Sequence, residues 1–176
     1  MKTGIRKIVY TALLAALICA LAPLSFPVGP IPITLGTFAI YISSSAINKK
    51  YGLAAVAVYI LLGAFGVPVF SGFTGGIQKL VGITGGYIIG YLPMALIIGI
   101  LCDKFPDKKY IYPLSYIIGT IALYLFGTAW YIIQTKASVA GAVGACVLPF
   151  LPGDLIKTAV ASVCSFKLRA ILKNKI

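Results

Sequence analysis

The sequence contains no histidine and no glutamate, and its three acidic residues are Asp103, Asp107 and Asp154. General acid–base catalysis and metal-assisted hydrolysis draw mainly on histidine or on paired carboxylates. Asp103 and Asp107 belong to the polar stretch DKFPDKK, where a solvated turn is expected to account for both. An enzyme built on this chain would have to work with Asp154, lysines, tyrosines and cysteines. An enzymatic function is therefore not expected.

Two other chemical signatures are missing. The chain has no GxxxxGK[ST] phosphate-binding loop, so any ATP would have to be hydrolysed by partner subunits. Its cysteines show no CxxC spacing and lie in or beside apolar stretches, which predicts small buried side chains and no metal site. They are Cys19, Cys102, Cys146 and Cys164.

What the chain has in excess is apolar sequence. Its 176 residues are 60% hydrophobic, with a mean hydropathy of +1.04. A soluble domain of this length could not solvate that much apolar surface, whereas a bilayer requires it. The apolar stretches cover residues 8–24, 33–47, 53–70, 85–102, 110–131 and 155–172. The sequence therefore predicts an all-α integral membrane protein, a single domain over residues 1–176 with six transmembrane helices.

Two of these stretches need comment. The first follows a basic segment but precedes no soluble domain, so we interpret it as a retained span and not as a cleaved signal. The second is short for a hydrocarbon core of about 30 Å, and we expect it to tilt or to lie partly inside the protein.

Lysine and arginine collect at alternate breaks between the six stretches. Twelve of the 15 precede the first stretch, follow the second or fourth, or close the chain. The other three breaks contain only Lys79, Lys136 and Lys157. Cytoplasmic loops retain basic residues, so this bias predicts that both termini are cytoplasmic. Small groups of cations beside apolar spans fit anionic lipid headgroups, and nucleic-acid binding is not expected.

The connections on the other side are long, nearly uncharged and rich in proline and glycine. They read APLSFPVGPIPIT, VPVFSGFTGGIQKLVGITGG, and GTAWYIIQTK through PFLPGDLIK. Irregular backbone at membrane depth persists where it is buried in protein or lines a cavity. We therefore predict outer loops that cover a ligand pocket, the alternative being ordinary apolar loops. Residues 137–151 within the last connection predict a re-entrant or interfacial helix, not a seventh crossing.

Glycines give the densest local signal. The pairs at 75–76 and 85–86 permit backbone conformations that are closed to other residues and let main-chain N–H groups approach a ligand. Gly82, Gly86 and Gly90 recur every four residues, which also suits close packing of two helices.

Asp154 and Lys157 fall three residues apart at the start of the last stretch, which places them on one face of a helix. Ionisable residues at membrane depth are candidates for a functional site. The alternative is that Asp154 caps the helix and pairs with Lys157. A carboxylate beside an ammonium suits a ligand with both N–H donors and acceptor oxygens. Trp130, Tyr87 and Phe73 offer apolar walls for it, or anchors at the membrane boundary.

Ala12, Ala16 and Ala20 recur every four residues in the first stretch. Such a ridge of small side chains allows another helix to approach closely. It predicts a docking surface for a partner, the alternative being packing inside the protein.

Four segments together carry a family resemblance. They are PIPITLGTF at 30–38, GGIQKLVGITGGYIIGY at 75–91, GTAW at 127–130 and PFLPGDLIK at 149–157. In this combination the chain resembles the biotin-specific substrate-binding (S) subunit of energy-coupling-factor (ECF) transporters, the BioY family. The resemblance implies a multi-pass protein of a prokaryotic plasma membrane that binds biotin outside, with high affinity. It implies transport coupled to a transmembrane coupling subunit and two ABC-type ATPase subunits, with no cofactor of its own.

The resemblance also implies roles for particular residues. The implied docking ridge is Ala12, Ala16 and Ala20. The implied biotin contacts are Thr34, Phe73, Gly75, Gly76, Gln78, Thr84, Gly85, Gly86, Tyr87, Trp130, Asp154 and Lys157.

The chain departs from the family pattern at two positions. The first loop of the family commonly reads TLQTF, and Gly36 replaces its glutamine; the glycine loop commonly reads GPTGGY, and Ile83 replaces its proline. The first change removes a side-chain amide, and the second loosens a turn because proline fixes φ near −65°. An S subunit for another vitamin, and a membrane enzyme or assembly factor, are the competing hypotheses.

Overall fold

The computed structural model describes residues 2–27 and 29–173, and within these ranges it contains eight α-helices and one two-stranded antiparallel sheet. In chain order the elements are α1 Lys2–Leu21, β1 Ser25–Phe26, β2 Ile33–Thr34, α2 Gly36–Ala46, α3 Lys49–Ala64, α4 Ile77–Val81, α5 Gly85–Lys104, α6 Ile111–Thr135, α7 Val139–Cys146 and α8 Leu151–Lys173. The expected all-α class is confirmed.

The longer helices, α1, α2, α3, α5, α6 and α8, run in alternating directions, so the bundle has two ends. At one end the backbone N–H of Lys49, which begins α3, donates to Asp103 near the end of α5 (2.9 Å). Arg169 of α8 pairs with the same carboxylate at 2.6 Å. We call this the basic end. At the other end, the loop end, the loops after α1 and α3 meet, and the N–H of Gly72 donates to the carbonyl of Pro23 (3.0 Å).

Helices long and apolar enough to cross a membrane are fewer than six. Within the described residues they are Gly4–Leu21, Gly85–Lys104 and Ile111–Thr135. The pair α7 and α8, bent by 48°, makes a fourth if it is counted as one broken span. The helices α2 and α3, with 11 and 16 residues, are shorter than the roughly 20 residues of a typical crossing.

The second apolar stretch forms the centre of the bundle. Ten of the 11 residues of α2 are buried, and the helix packs against α1, α3, α5 and α8. The expectation that this short stretch lies partly inside the protein is therefore confirmed. Ile33 and Thr34, which were predicted to begin the helix, instead form β2 and pair with Phe26 and Ser25.

The last apolar stretch begins earlier than expected. The helix α8 starts at Leu151, four residues before the predicted stretch 155–172, and so includes Pro152 and Gly153. Proline is tolerated in the first turn of a helix because its missing N–H would have no partner there. In the segment 137–151, α7 has eight residues and spans only about 12 Å. This short helix packs on α6 and is too short to cross a membrane by itself. That the segment is re-entrant or interfacial stays a prediction.

The expectation of a solvated turn is wrong for Asp103. The helix α5 continues to Lys104, two residues beyond the predicted end, and so places Asp103 in its last turn. There the side chain is only 18% exposed, because it accepts hydrogen bonds from Arg169 and from the backbone of Lys49. Asp107, in the connection to α6, is exposed as expected.

Close packing of α5 on α6 depends on glycine. A Cβ atom on Gly86 would overlap the side chain of Trp130, and one on Gly127 would overlap the ring of Tyr87. Gly90 also faces α6. Of the three glycines that recur every four residues, Gly86 and Gly90 therefore serve this contact. The third, Gly82, ends α4 instead.

This contact yields a prediction of stability. Replacing Gly86 by Ala should lower the free energy of unfolding by about 1–3 kcal/mol, because the added methyl group overpacks the interface with Trp130. For a chain of this length each kcal/mol corresponds to a fall of about 2–4 °C in Tm. Thermal unfolding in detergent measures the change.

Gly144→Ala is the matched control, because a Cβ atom at that helical position in α7 would meet no atom within 4 Å. Equal Tm values for the Gly86→Ala and Gly144→Ala variants would show that α5 and α6 do not pack as described.

Candidate binding site in the loop end

The loop end contains a cavity of about 450 Å³. This volume lies within the range of roughly 300–1,000 Å³ that is usual for small-molecule sites. Its walls come from α2, α3, α4, α5, α6 and α8 and from the loops between α1 and α2, between α3 and α4, and between α4 and α5. Its polar lining comprises Thr34, Thr37, Ser71, Thr74, Gln78, Lys79, Thr84, Asp154 and Lys157, together with the hydroxyl-bearing rings of Tyr59, Tyr87, Tyr91 and Tyr124.

An ion pair forms one corner of the cavity. The ammonium of Lys157 lies 2.9 Å from Asp154, and their side chains are 12% and 8% exposed. Asp154 also accepts a hydrogen bond from the hydroxyl of Tyr124 (2.6 Å), and Lys157 donates to Thr37 (3.1 Å). Buried charges are tolerated when they are paired and their remaining hydrogen-bonding groups are satisfied. The four side chains therefore hold one another in place.

The start of α8 explains the position of this pair. Asp154 lies in the first turn, where the helix dipole favours a negative charge, and Lys157 follows on the same face. Within the described part of the chain, the carboxylate accepts from Lys157 and Tyr124, and no bond to a backbone N–H of α8 is formed. The alternative interpretation of the sequence is therefore correct that Asp154 pairs with Lys157, but it is wrong that Asp154 caps the helix.

Aromatic rings form another part of the lining. Tyr59 packs edge-on against Phe70, with ring centroids 5.6 Å apart, and at 6.4 Å from Tyr91. Tyr87 is fixed by hydrogen bonds of its hydroxyl with Thr128 (3.1 Å) and with the carbonyl of residue 146 (3.2 Å). The cavity thus combines an apolar, aromatic side with a charged corner.

The loops that close the cavity are tied to the helices. The backbone groups of Phe70 and Thr74 bond to each other, and the N–H of Gly76 donates to the carbonyl of Gly63 in α3 (2.7 Å). Gly76 itself has φ = +99°, a conformation that other residues rarely adopt. The site is therefore largely pre-formed by main-chain contacts.

The structure brings half of the sequence-predicted site residues to the cavity. Those that line it are Thr34, Gln78, Thr84, Tyr87, Asp154 and Lys157. Those that do not line it are Phe73, Gly75, Gly76, Gly85, Gly86 and Trp130.

The glycines outside the lining allow close approaches of the backbone. A Cβ atom on Gly75 would lie 2.5 Å from the carbonyl oxygen of Val67, and one on Gly85 would overlap the backbone of Leu80. These glycines shape the walls of the site by allowing close packing behind them. They do not themselves line the cavity.

The two aromatic residues outside the lining have other surroundings. Phe73 is 64% exposed at the tip of the loop after α3, with φ = +56°. The indole N–H of Trp130 donates to the carbonyl of Gly82 (3.0 Å) and so ties α6 to the turn before α5.

Sequence reasoning missed Thr37, Tyr59, Phe70, Tyr91 and Tyr124 in the lining. For Tyr91 a signal existed, because it follows Tyr87 by four residues and so lies on the same helix face. Tyr124 lies inside a continuous apolar stretch, where the sequence does not indicate which face is buried.

Comparison with known proteins places the chain among transport proteins. A family model described as the BioY family matches residues 1–174. The "Biotin transporter BioY" of Thermotoga maritima is 38% identical over 169 residues, covering 94% of this chain and 97% of the relative. The "Probable biotin transporter BioY" of Pyrococcus horikoshii is 34% identical over 167 residues, covering 93% and 96%.

A solved structure has the same fold. The crystal structure of the S-component for biotin from an ECF-type ABC transporter superimposes with a TM-score of 0.90. The two chains are 27% identical, and the match covers 96% of this chain and 93% of the other.

The geometry of the ion pair predicts energetic coupling. Asp154→Asn and Lys157→Met should each destabilise the ligand-free protein, because each leaves a buried charge without its partner. The double variant should lose less free energy of unfolding than the two single variants together. The difference, the coupling energy, should be about 0.5–3 kcal/mol, as is usual for residues in direct contact. Thermal or denaturant unfolding in detergent gives the four free energies of unfolding.

Lys136→Met in place of Lys157→Met is the control cycle, since Lys136 is exposed after α6. If the Asp154–Lys157 cycle is additive within about 0.3 kcal/mol, as distant sites are, the pair does not stabilise this corner.

Proposed function

Because the chain belongs to the BioY family, we propose that it is the biotin-binding subunit of an ECF-type ABC importer of vitamins. It captures biotin with high affinity on the outer side of the membrane. It delivers the vitamin inward when it is coupled to an ATP-driven module. Biotin is the transported ligand, and the protein requires no cofactor for this role.

One observation of the structure supports this proposal above the others: the lining of one cavity combines a buried ion pair with aromatic rings. Biotin has a cyclic urea with two N–H donors and a carbonyl, an apolar thioether ring and a chain that ends in a carboxylate. A binding site for such a molecule needs hydrogen-bond acceptors and donors at a fixed separation, with apolar surface beside them.

We assign the polar contacts by matching donors to acceptors. The Asp154 carboxylate accepts from a urea N–H, and the Lys157 ammonium donates to the urea carbonyl. Tyr59 and Tyr91 flank the thioether ring. Lys79, the other cation in the lining, and backbone N–H groups near it hold the carboxylate.

The chain is a multi-pass membrane protein, and we extend this to six crossings within a single domain, residues 1–176. The alternating helices and the relatives named as transporters support this topology. Both termini are cytoplasmic in a prokaryotic plasma membrane, since the basic end gathers most of the lysines and arginines and the loop end then faces outside. The short helix α2 crosses surrounded by its neighbours and not by lipid.

The partners in the proposal are a transmembrane coupling subunit and two ABC-type ATPase subunits. The chain itself carries no phosphate-binding loop and does not hydrolyse ATP. Ala12, Ala16 and Ala20 are all exposed on α1, so the ridge does not pack inside this protein. An exposed stripe of small residues is suited to a close helix–helix contact with the coupling subunit.

Calorimetric titration of the purified chain tests the ligand. Biotin should bind saturably at one site, whereas thiamine and riboflavin should not bind. Asp154→Asn should weaken biotin binding by at least about tenfold, because a carboxylate acceptor worth about 1.5–3 kcal/mol is lost.

Asp107→Asn is the matched control, since it makes the same substitution in an exposed connection at the opposite end. Biotin affinity that is unchanged in Asp154→Asn would remove Asp154 from the site. Binding of thiamine or riboflavin in place of biotin would contradict the proposed ligand.

The docking proposal has a separate test. Ala12→Leu with Ala16→Leu should leave biotin binding intact and abolish co-purification with the coupling subunit, because the larger side chains prevent close approach. Ala159→Leu with Ala170→Leu alters two exposed alanines of α8 as the control. Normal assembly of the Ala12/Ala16 variant would show that the ridge faces lipid.

A further inference from the structure

A second cavity, of about 250 Å³, lies in the basic end. It covers the C-terminal end of α2, between the first turns of α1 and the last turns of α8. Its floor is apolar and buried, formed by Ala46, Ile47 and Leu172, which are between 1% and 7% exposed. We call it the basic cavity.

Two cations stand at the rim of the basic cavity. The guanidinium of Arg169 is held by the carbonyl of Ser45 (2.9 Å) and by Asp103 (2.6 Å). These two bonds use two of its five N–H donors, so a fixed, planar donor group remains for a further acceptor. The ammonium of Lys7 lies 5.9 Å from the ring centroid of Tyr51, and none of the described carboxylates forms an ion pair with it.

Among the described residues, the side chains that line the basic cavity carry a net positive charge. Asp103 neutralises part of the charge of Arg169, but neither it nor Asp107 lines the cavity. Asn48 and Tyr51 add polar groups to the rim. An oxyanion here would meet two cations and neutral hydrogen-bonding groups, which is the environment that phosphate prefers.

Two exposed apolar side chains lie next to lining residues of the basic cavity. Ile8, one residue beyond Lys7, is 67% exposed, and Ile171, beside Leu172, is 56% exposed. In the proposed topology these side chains face acyl chains at the cytoplasmic leaflet. An apolar floor, a cationic rim and flanking apolar side chains suit a molecule that carries a phosphate and hydrocarbon together.

We propose that the basic cavity binds the phosphate of an anionic phospholipid headgroup. Lys7 and Arg169 contact the phosphate oxygens, and the apolar floor receives the glycerol and the first methylene groups. The inference rests on the proposed orientation of the chain but not on its ligand, so it survives if the transported molecule is another vitamin.

Native mass spectrometry of the delipidated full chain in detergent tests the proposal. The first molecule of dioleoyl-phosphatidylglycerol should bind several-fold more tightly than dioleoyl-phosphatidylcholine. Lys7→Gln should weaken phosphatidylglycerol binding about fivefold, the equivalent of about 1 kcal/mol for one cation near the membrane surface. Lys7→Arg should retain it, and both variants should keep the Tm of the parent chain.

Lys50→Gln is the matched control, because Lys50 is exposed at the same end and does not line the basic cavity. The proposal would be overturned if the two lipids bound equally well. It would also be overturned if Lys7→Gln and Lys50→Gln weakened phosphatidylglycerol binding by the same factor. Displacement of phosphatidylglycerol by inorganic phosphate would overturn the lipid as the source of the phosphate. Unchanged lipid binding in Lys7→Gln, with lost assembly with the coupling subunit, would assign the cavity to that partner.

Discussion

The position of α8 against α2 is the constraint on which both ends of the molecule depend. At the loop end Lys157 donates to Thr37 of α2 (3.1 Å), and at the basic end Arg169 donates to the carbonyl of Ser45 (2.9 Å). Because α2 is buried along its length, it offers α8 a fixed reference. Each cavity takes charged side chains from α8, Asp154 and Lys157 at the loop end and Arg169 at the basic end, so the placement of these charges follows from the two contacts.

Between these contacts the bundle is held by polar groups and small residues. The ring of Tyr41 stacks on that of Tyr116 at 4.6 Å, and the hydroxyl of Tyr116 bonds with Ser45 (2.7 Å). On the other side Gly86 and Gly127 allow α5 and α6 to touch. In a bilayer the hydrophobic effect does not drive helices together, so close packing and interhelical hydrogen bonds must do so. The glycines and the buried tyrosine and serine hydroxyls in the interior of this chain provide such packing and hydrogen bonds.

Much of the architecture could be predicted from local signals, and the contacts between distant residues could not. Apolar length located the helices, and spacing placed Asp154 beside Lys157. Nothing local indicated that Tyr124, 30 residues away, would complete that pair, or that Asp103 would pair with Arg169 across 66 residues. The glycine pairs illustrate the same limit: the sequence shows that the backbone approaches something closely, and only the fold shows that it approaches other backbone.

The charged corner of the candidate site is compensated by side chains of the protein itself, and this restricts what can bind there. A ligand that only accepts hydrogen bonds can take the one N–H of Lys157 that Asp154 and Thr37 leave over, but it offers no donor to the carboxylate of Asp154. A ligand that only donates can bind the remaining lone pairs of Asp154, but it offers no acceptor to the ammonium of Lys157. A group that presents a donor and an acceptor side by side keeps both charges compensated, because each takes one partner from it. The cyclic urea of biotin is such a group, so under the proposed function selectivity would arise from the pairing of Asp154 with Lys157.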